Sequence, residues 1–434
     1  MQLMPPLTHE NNSLQIGKIP ISEIYEQFGP GAIYAYDANR IIQNFKNLKS
    51  AFTDSKGCFS TKISFAIKSN SNPAIMQILQ KEGCGADCSS LNEIKIAQMA
   101  GVQNQHILYS GNNNPIPELK YAIKNNLAIN FDSISLFERA SKDENISEIP
   151  VCFRYNPQKG LGENEKITTA GKGSKFGIPE SEIASAYKSA KQKGAKRFGL
   201  HMMSGSNTRE ISPFISQIDE QLKIAGQICS ELQIEFEFIN IGGGFGVPYK
   251  PEDPPLNLQE LGSKICEAFA SGCQKYGVRG PNSKLPSLML EPGRIIVADS
   301  GIILAQITNI KNSEGKRIIG LDASMATLLR PALYGSYHQI YINGHLHEET
   351  SPADIVGQAC ESSDFFAKAR PIPNSAKEGD IAVICTAGAY GFSMSSNYCN
   401  MQRAAEVLIL NSQLHLIREK QTFEQMLIST HLLP

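Results

Sequence analysis

Three groups of residues in this sequence could do chemistry, and each follows an apolar run. Lys68 ends one run, a short Ser204-Gly205-Ser206 loop follows another, and a glycine cluster, Gly242-Gly243-Gly244-Phe245-Gly246, follows a third. A desolvated lysine has a lowered pKa, and its amine can form a Schiff base with a carbonyl group. Glycines let backbone N–H groups approach an anion such as phosphate closely. Taken alone, Lys68 is equally consistent with a solvated surface lysine and the triple glycine with a tight turn.

An acid and a base stand together in the segment Glu291-Pro292-Gly293-Arg294, which closes another apolar run. Burying either charge costs free energy unless it has a partner, for example a cofactor nitrogen or a substrate carboxylate. The alternative is that Glu291 and Arg294 pair with each other.

All of these residues lie in a stretch, from about residue 60 to residue 297, where short apolar runs alternate with amphipathic helical segments. This alternation predicts a parallel sheet with crossover helices, and eight strands predict a (β/α)8 barrel, whose active site lies at the carboxyl ends of the strands. Alternation along the first strand would bring Lys68 to the rim of the barrel. The predicted strands are Ile63–Lys68, Gly85–Cys88, His106–Ser110, Ala128–Phe131, Val151–Tyr155, Phe198–Met203, Phe236–Ile241 and Leu288–Glu291.

Beyond residue 298 the pattern changes to short β-rich runs separated by turn residues, which predicts a mostly antiparallel β domain. Two domains are also what a length of 434 residues leads us to expect. We therefore divide the chain into an N-terminal segment, 1–36, which can join the β domain, a barrel domain, 37–297, and a C-terminal β domain, 298–434. The predicted strands of the last are Gly301–Ile310, Arg317–Asp322, His338–Ile342, Ile381–Cys385 and Val407–Leu410; nearer the start, Ala32–Tyr36 is strand-like and Ala38–Ala51 helical.

Charge and composition favour a small-molecule partner. The 41 basic and 42 acidic residues give a net charge of −1, which leaves no extended basic surface for nucleic acid or anionic lipid. The sequence has no apolar run that approaches the roughly 20 residues needed to span a bilayer, and its start does not resemble a signal peptide. We expect a cytoplasmic protein with reduced thiols among its ten cysteines and no metal site, since Cys84 and Cys88 lack a second pair at zinc-site spacing.

The motifs, taken in order, resemble those of the fold-type III decarboxylases that depend on pyridoxal 5'-phosphate (PLP), a family that shares its barrel-plus-β-domain layout with alanine racemase. The subfamily that the later motifs resemble most is that of the diaminopimelate decarboxylases. The motifs are Phe65-Ala-Ile-Lys68-Ser-Asn70, Gly85-Ala-Asp-Cys-Ser-Ser-Leu-Asn-Glu93, Arg154-Tyr-Asn-Pro157, Ser174-Lys-Phe-Gly177, Gly242-Gly-Gly-Phe-Gly-Val-Pro-Tyr249, Glu291-Pro-Gly-Arg294, Leu329-Arg-Pro-Ala-Leu-Tyr334, Cys360-Glu-Ser362 with Asp364, and Gly388-Ala-Tyr390.

The resemblance implies a set of cofactor contacts. Lys68 would bind PLP covalently, and Glu291 would pair with the pyridine nitrogen and keep the ring an electron sink. Arg154 would lie near the phenolic oxygen. The residues implied for the phosphate are Ser206, Gly243, Gly244, Gly293, Arg294 and Tyr390.

The resemblance also implies the reaction, decarboxylation of meso-2,6-diaminopimelate to L-lysine and CO2. The distal carboxylate of the substrate would bind Arg294, Arg330 and Tyr334, with Tyr390 nearby, because a planar anion suits bidentate arginine. Glu361 would receive the distal ammonium, and Cys360 or Lys68 would return the proton to the α carbon. Cys360 and Glu361 would reach the site of a neighbouring subunit, so the resemblance implies a homodimer with shared active sites.

One position departs from the family pattern. Members usually carry a histidine against the PLP ring at the position that reads Met203 here, within Leu200-His-Met-Met-Ser-Gly-Ser206. Either His201 takes this place by a local shift, or the ring face is apolar, since a thioether can pack on a ring but carries no charge. A second departure is the segment Tyr398-Cys-Asn-Met-Gln-Arg403, which differs from the family's usual Tyr-Asn and Arg-Pro-rich run.

Three other functions remain open at this stage. The first is decarboxylation of lysine, of either enantiomer of ornithine, or of a carboxylated polyamine, against which Arg330 argues because lysine and ornithine lack a second carboxylate. The second is an alanine racemase, which would use a tyrosine base and would not need the Cys360-Glu361-Ser362 triplet. The third is a non-catalytic regulatory homologue, which an intact set of Lys68, Glu291 and Cys360 disfavours.

Overall fold

The computed structural model describes residues 3–158, 173–203 and 205–433. The chain forms two compact units. The barrel unit consists of Asn44–Val247 and Pro255–Ile295, and the β unit consists of Met1–Gln43, Pro248–Pro254 and Ile296–Pro434. Within the described residues, no helix is long and apolar enough to cross a membrane.

The first residues of the chain form a small antiparallel sheet and two helices. Strand β4 pairs with two strands of the large sheet of the β unit, described below. The elements are β1 (Leu7–Glu10), β2 (Ser13–Ile16), β3 (Ile19–Pro20), α1 (Ile21–Phe28), β4 (Ile33–Asp37) and α2 (Ala38–Ala51).

The barrel unit closes eight parallel strands into a cylinder, and a ninth short strand, β10, extends the sheet beside β9. The strands are β5 (Thr61–Ala66), β6 (Gly85–Cys88), β7 (Ile107–Tyr109), β8 (Ala128–Phe131), β9 (Pro150–Asn156), β10 (Ile178–Pro179), β11 (Arg197–Met202), β12 (Phe236–Asn240) and β13 (Ser287–Leu290). The order around the barrel is β9, β11, β12, β13, β5, β6, β7, β8, which returns to β9. This arrangement confirms the predicted (β/α)8 fold.

The crossover helices begin and end where the sequence supplies caps. Asn72 accepts the N–H of Ala74 at the start of α3, whose first residue is Pro73, and Ser90 caps α4 in the same way. Gly83 and Gly101 follow helices with φ of +88° and +91°, the left-handed conformation that ends a helix cheaply at glycine. The helices are α3 (Pro73–Lys81), α4 (Leu91–Met99), α5 (Ile116–Lys124), α6 (Ile134–Ala140), α7 (Glu180–Gln192), α8 (Ser212–Leu232), α9 (Leu258–Tyr276) and α10 (Arg294–Val297).

The β unit contains a nine-stranded sheet in which most neighbours are antiparallel, and the predicted β domain is thereby confirmed. Its strands besides β4 are β14 (Gly301–Ser313), β15 (Lys316–Leu321), β16 (Ile340–Ile342), β17 (Thr350–Val356), β18 (Phe365–Pro373), β19 (Ile381–Ile384), β20 (Ala405–Leu410) and β21 (Gln413–Arg418), and its later helices are α11 (Arg330–Tyr334) and α12 (Phe423–Leu427). Three strands of this sheet, β17, β18 and β21, were not predicted. Pro352 in β17 and Pro371 in β18 interrupt the strand pattern, and β21 is mostly exposed.

The structure corrects one local prediction that bears on the candidate site. Strand β5 ends at Ala66, and Lys68 lies in a 3-10 turn, Ile67–Ser69, instead of on the strand. The turn is closed by the N–H of Asn70 on the carbonyl of Ile67 and by the Ser69 hydroxyl on the carbonyl of Ala66. Lys68 therefore projects from the turn beyond the strand, at its carboxyl end.

Candidate active site

Lys68 forms an ion pair with an acid at the carboxyl end of the barrel. Its Nζ lies 2.7 Å from Oδ2 of Asp87 on β6, and the Asp87 side chain is fully buried while that of Lys68 is 43% exposed. Burial, together with the negative charge of Glu291, raises the pKa of Asp87 to about 7, although Lys68 opposes this. The pair therefore holds an amine next to a carboxylate that gains and loses a proton readily near neutral pH.

Glu291 follows β13 and is held by two polar side chains of neighbouring strands. Asn240 on β12 donates to its Oε1 at 2.7 Å, and Nε2 of His201 on β11 lies 3.3 Å from its Oε2. Burial alone would raise the pKa of Glu291, but His201, Lys68 and the bond from Asn240 outweigh it and lower the pKa to about 2. Glu291 is therefore a buried anion at neutral pH.

The possible pairing of Glu291 with Arg294 is excluded by these contacts. Arg294 donates instead to the hydroxyl of Ser206 at 3.2 Å, and its side chain is largely buried. The guanidinium thus stands at the loop that follows β11, where it can meet an anion. Ser204, the other serine of that loop, lies outside the described residues.

Arg154 adds a second guanidinium to the barrel mouth. It lies on β9, almost wholly buried, with its guanidinium 4.4 Å from the centre of the Phe176 ring. Burial lowers its pKa, and the negative charges of Asp132, Glu291 and Asp87 oppose that change. The carboxyl end of the barrel therefore gathers Lys68, Arg154, Asp87 and Glu291 within electrostatic reach of one another.

In the loop after β12, close contacts with neighbouring backbone require glycine. A Cβ on Gly243 would lie 2.2 Å from the carbonyl oxygen of Glu291, and one on Gly244, whose φ is +88°, would lie 2.6 Å from that of Gly205. Gly293 is similarly confined, with Ser69 at 2.9 Å. The loops that follow β11, β12 and β13 therefore meet with bare backbone, which is the arrangement that an anion site needs.

Met203 lies across this glycine loop. Its sulfur is 3.3 Å from the backbone nitrogen of Gly243, whose N–H donates to it. His201, in contrast, points to Glu291 and not to the loop. Of the two possibilities left open by the sequence, a shifted His201 or an apolar face, the geometry of the loop favours the second.

The β unit carries a second group of candidate residues. Arg330, the first residue of α11, is buried, donates to the Ser336 hydroxyl at 3.2 Å and lies 5.0 Å above the ring of Tyr249. Tyr334 ends the same helix and is half-buried. Tyr390 lies in a turn before Gly391 with φ of +55°, a left-handed conformation that non-glycine residues seldom adopt.

The segment with Cys360 and Glu361 is an exposed loop with a rigid base. The Asp364 carboxylate accepts the backbone N–H groups of Met325 and Ala359, and little room is left beside it, since a Cβ on Gly357 would lie 2.3 Å away. Glu361 is exposed, and the backbone N–H of Ser363 lowers its pKa. Both Cys360 and Glu361 thus present reactive groups outward.

Tyr398, in the second segment that departs from the family pattern, lies beside this loop. Its hydroxyl is 3.5 Å from Oε2 of Glu361.

Three residues of these groups were not identified as site residues from the sequence. Asp87 sits inside a quoted motif, and an acid in the middle of a four-residue apolar strand could have revealed it. Asn240 closes β12 and was read only as strand. Tyr249 was quoted for its motif alone, and nothing in the sequence shows that its ring meets Arg330.

Comparisons with known proteins show what this chain is similar to. The family model for the pyridoxal-binding domain of pyridoxal-dependent decarboxylases matches residues 38–298. A diaminopimelate decarboxylase of Methanothermobacter thermautotrophicus is 39% identical over 420 residues, which cover 96% of either chain. Protein TabA of Pseudomonas amygdali pv. tabaci is 33% identical over 396 residues, with 91% and 90% covered.

Solved structures give the same result. The crystal structure of a diaminopimelate decarboxylase of Methanocaldococcus jannaschii in complex with L-lysine is 31% identical and has a TM-score of 0.89. That similarity covers 100% of this chain and 99% of the other.

The raised pKa of Asp87 predicts how stability depends on pH in the cofactor-free protein. An acid whose pKa rises on folding binds its proton more tightly in the folded state, so its contribution to stability is present at low pH and is lost as pH rises from about 4 to about 7. Asp87→Asn removes this loss. The free energy of unfolding of the variant, relative to wild type, should therefore increase between pH 4 and pH 7 in urea titrations. A difference that stays constant over this interval would contradict the assignment.

Proposed function

The chain belongs to the pyridoxal-dependent decarboxylase family, and we propose that it removes CO2 from meso-2,6-diaminopimelate to yield L-lysine. Relatives named diaminopimelate decarboxylase match almost the entire chain, and one of them has been crystallised with L-lysine. In the structure itself, the observation that supports this substrate is the buried guanidinium of Arg330, which lies over the Tyr249 ring. Such a group suits a substrate with a second carboxylate, which diaminopimelate has and lysine lacks.

The cofactor of the family is PLP, and the residues at the carboxyl end of the barrel fit it. Among the described residues, Oδ1 of Asp87 and Nδ1 of His201 are buried polar atoms without a hydrogen-bond partner, as expected where a polar group binds. Glu291 offers a buried anion for a protonated ring nitrogen. The loops around Gly243 and Gly293 leave bare backbone for a phosphate.

We assign the cofactor contacts accordingly. Lys68 would bind the aldehyde carbon, Glu291 would pair with the ring nitrogen, and Arg154 would lie near the phenolic oxygen. His201 acts through Glu291, which it helps to keep ionised. The phosphate ligands are Ser206, Gly243, Gly244, Gly293, Arg294 and Tyr390. The N–H of Gly243, which donates to the sulfur of Met203, a weak acceptor, would be one of the donors available to the phosphate.

Bound PLP supplies an electron sink for the electron pair that CO2 leaves behind. The chain's own residues prepare this step. Glu291 stays ionised, because His201 and Asn240 hold it, and as an anion it would favour a protonated ring nitrogen in the cofactor. Asp87, with a pKa of about 7, can hold or release a proton next to the Lys68 amine. Lys68 or Cys360 then returns a proton to the α carbon.

We place the substrate's far end in the second group of residues. Arg294, Arg330 and Tyr334, with Tyr390, bind the distal carboxylate, and Glu361 binds the distal ammonium. Tyr249 is a positioning residue, because the Arg330 guanidinium lies over its ring. The distal carboxylate of the substrate thus meets arginines, and its distal ammonium meets a glutamate.

We further propose a homodimer in which each active site takes Cys360 and Glu361 from the other copy. Both residues are exposed in the single chain, and Asp364 and the backbone around it fix their loop. A fixed loop that presents a thiol and a carboxylate outward is suited to complete a site on another subunit.

The proposed compartment is the cytoplasm. All ten cysteines are free thiols, and six of them are buried. Such a set of reduced thiols is typical of a reducing compartment.

Replacing Lys68 tests the cofactor assignment. Lys68→Ala should eliminate the PLP adduct that borohydride makes permanent, because Lys68 is the lysine that pairs with Asp87 at the carboxyl end of the barrel. Intact-mass spectrometry measures the adduct. Lys95→Ala, on the exposed surface of α4, is the matched control and should keep it. A borohydride-stable adduct on another lysine of the Lys68→Ala protein would show that the assignment is wrong.

Mixing two inactive variants tests the shared site. Lys68→Ala and Cys360→Ala each damage one half of a site, so a mixed dimer should contain one intact site and recover CO2 release. Subunit exchange is followed independently with affinity tags of two kinds. If exchange occurs and activity stays at the level of the parent variants, the active site is not shared.

Replacing Arg330 tests the substrate. Loss of one charge-assisted contact in a desolvated pocket costs about 1.5–3 kcal/mol, roughly ten- to a hundredfold in kcat/KM. In Arg330→Ala, kcat/KM for diaminopimelate should therefore fall by this factor, mainly because KM rises. The preference of the enzyme for diaminopimelate over lysine should become smaller. Arg317→Ala, in the same unit but bonded to backbone carbonyls of β18, is the control. Equal use of lysine and diaminopimelate by the wild-type enzyme would refute the proposed substrate.

A further inference from the structure

A cavity lies within the barrel unit, at the end opposite to the catalytic residues. Its volume is about 220 Å³, and its lining comes from the amino-terminal ends of the barrel strands. Lys62 stands near the start of β5, whereas Lys68 follows the end of that strand. At about 3.3 Å per residue, the strand separates the two ends by roughly 15 Å.

The inner wall of this cavity is apolar. Leu108, Phe238 and Met289 line it and belong to one buried cluster with Cys152, while Phe45 and Ile63 line its sides. An engineered apolar cavity of about 150 Å³ takes up benzene, so the space here is sufficient for one six-membered ring. The rings of Phe45 and Phe238 and the sulfur of Met289 are favourable neighbours for an aromatic group.

The rim of the cavity is cationic. Arg197 and Glu237 neutralise each other through two bonds of 2.6 and 3.0 Å. Lys49 and Lys62 remain, and among the described residues no acid forms an ion pair with either of them. Lys49 donates to the carbonyl of Glu82, and Lys62 makes no hydrogen bond within that part of the chain. An apolar pocket below two ammonium groups is complementary to a molecule with an apolar body and a negatively charged group at one end.

We propose that this cavity binds a small aromatic carboxylate. Its ring enters the barrel against Phe238 and Met289, and its carboxylate meets the ammonium groups of Lys49 and Lys62. The proposed site is spatially separate from the catalytic one, because the two lie at different ends of the strands.

The experiment measures binding to the PLP-loaded enzyme by calorimetry, with L-lysine at saturation to occupy the catalytic site. The probe is 3-phenylpropionate, with 2-phenylethylamine and propionate as controls for charge and ring. We expect 3-phenylpropionate to bind once per chain, and the other two to bind at least tenfold more weakly. No binding at millimolar concentrations, or equal binding of the amine, would overturn the proposal.

Variants locate the site. Lys49→Gln combined with Lys62→Gln should weaken binding of 3-phenylpropionate about tenfold or more, and Lys188→Gln, on the exposed face of α7, should leave it unchanged. Ala128→Leu, which places a larger side chain in the cavity, should abolish binding. The lysine variants decide the question even if Ala128→Leu does not fold, since both lysines are exposed. Unchanged affinity in the double lysine variant would refute the site.

Discussion

The candidate site depends on one electrostatic arrangement, two buried carboxylates of opposite protonation behaviour inside one barrel. Asp87 and Glu291 repel each other, and burial disfavours the charge on both. Asn240 and His201 stabilise Glu291 as the anion. Its negative charge and burial then disfavour ionisation of Asp87, whose pKa rises. Because the two carboxyl groups differ in this way, one can hold a permanent negative charge while the other exchanges a proton beside Lys68.

This arrangement explains why the barrel fold suits the chemistry. Each of the participating side chains lies on a different strand or directly after its carboxyl end, so parallel neighbours bring them to one end without any long loop. The backbone loops that follow β11, β12 and β13 then meet so closely that Gly243 and Gly293 have no room for a side chain. Stability and anion binding therefore place the same demand on these glycines.

The sequence predicted the scaffold well and the partners of the site residues poorly. Strands such as Gly85–Cys88 and Ala128–Phe131 were found to the residue, since buried parallel strands are continuous apolar runs bounded by turns. The 3-10 turn at Lys68 was missed because alternation continues through it in the sequence. Contacts between distant residues, such as Tyr249 with Arg330, leave no local pattern, and only the fold shows them.

The cavity at the amino-terminal end of the barrel is lined in part by a buried cluster that lies on the same strands as several site residues. Cys152, Phe238 and Met289 belong to one buried cluster. Two positions further along the chain stand Arg154 on β9, Asn240 on β12 and Glu291 just beyond the end of β13. Residues two apart on a strand point to the same side, so Arg154 points to the same side as Cys152, and Asn240 to the same side as Phe238. Protein interiors are close-packed and transmit strain. A ligand that moves Phe238 or Met289 would therefore act first on Asn240 and Glu291, the pair that fixes the charge of the site.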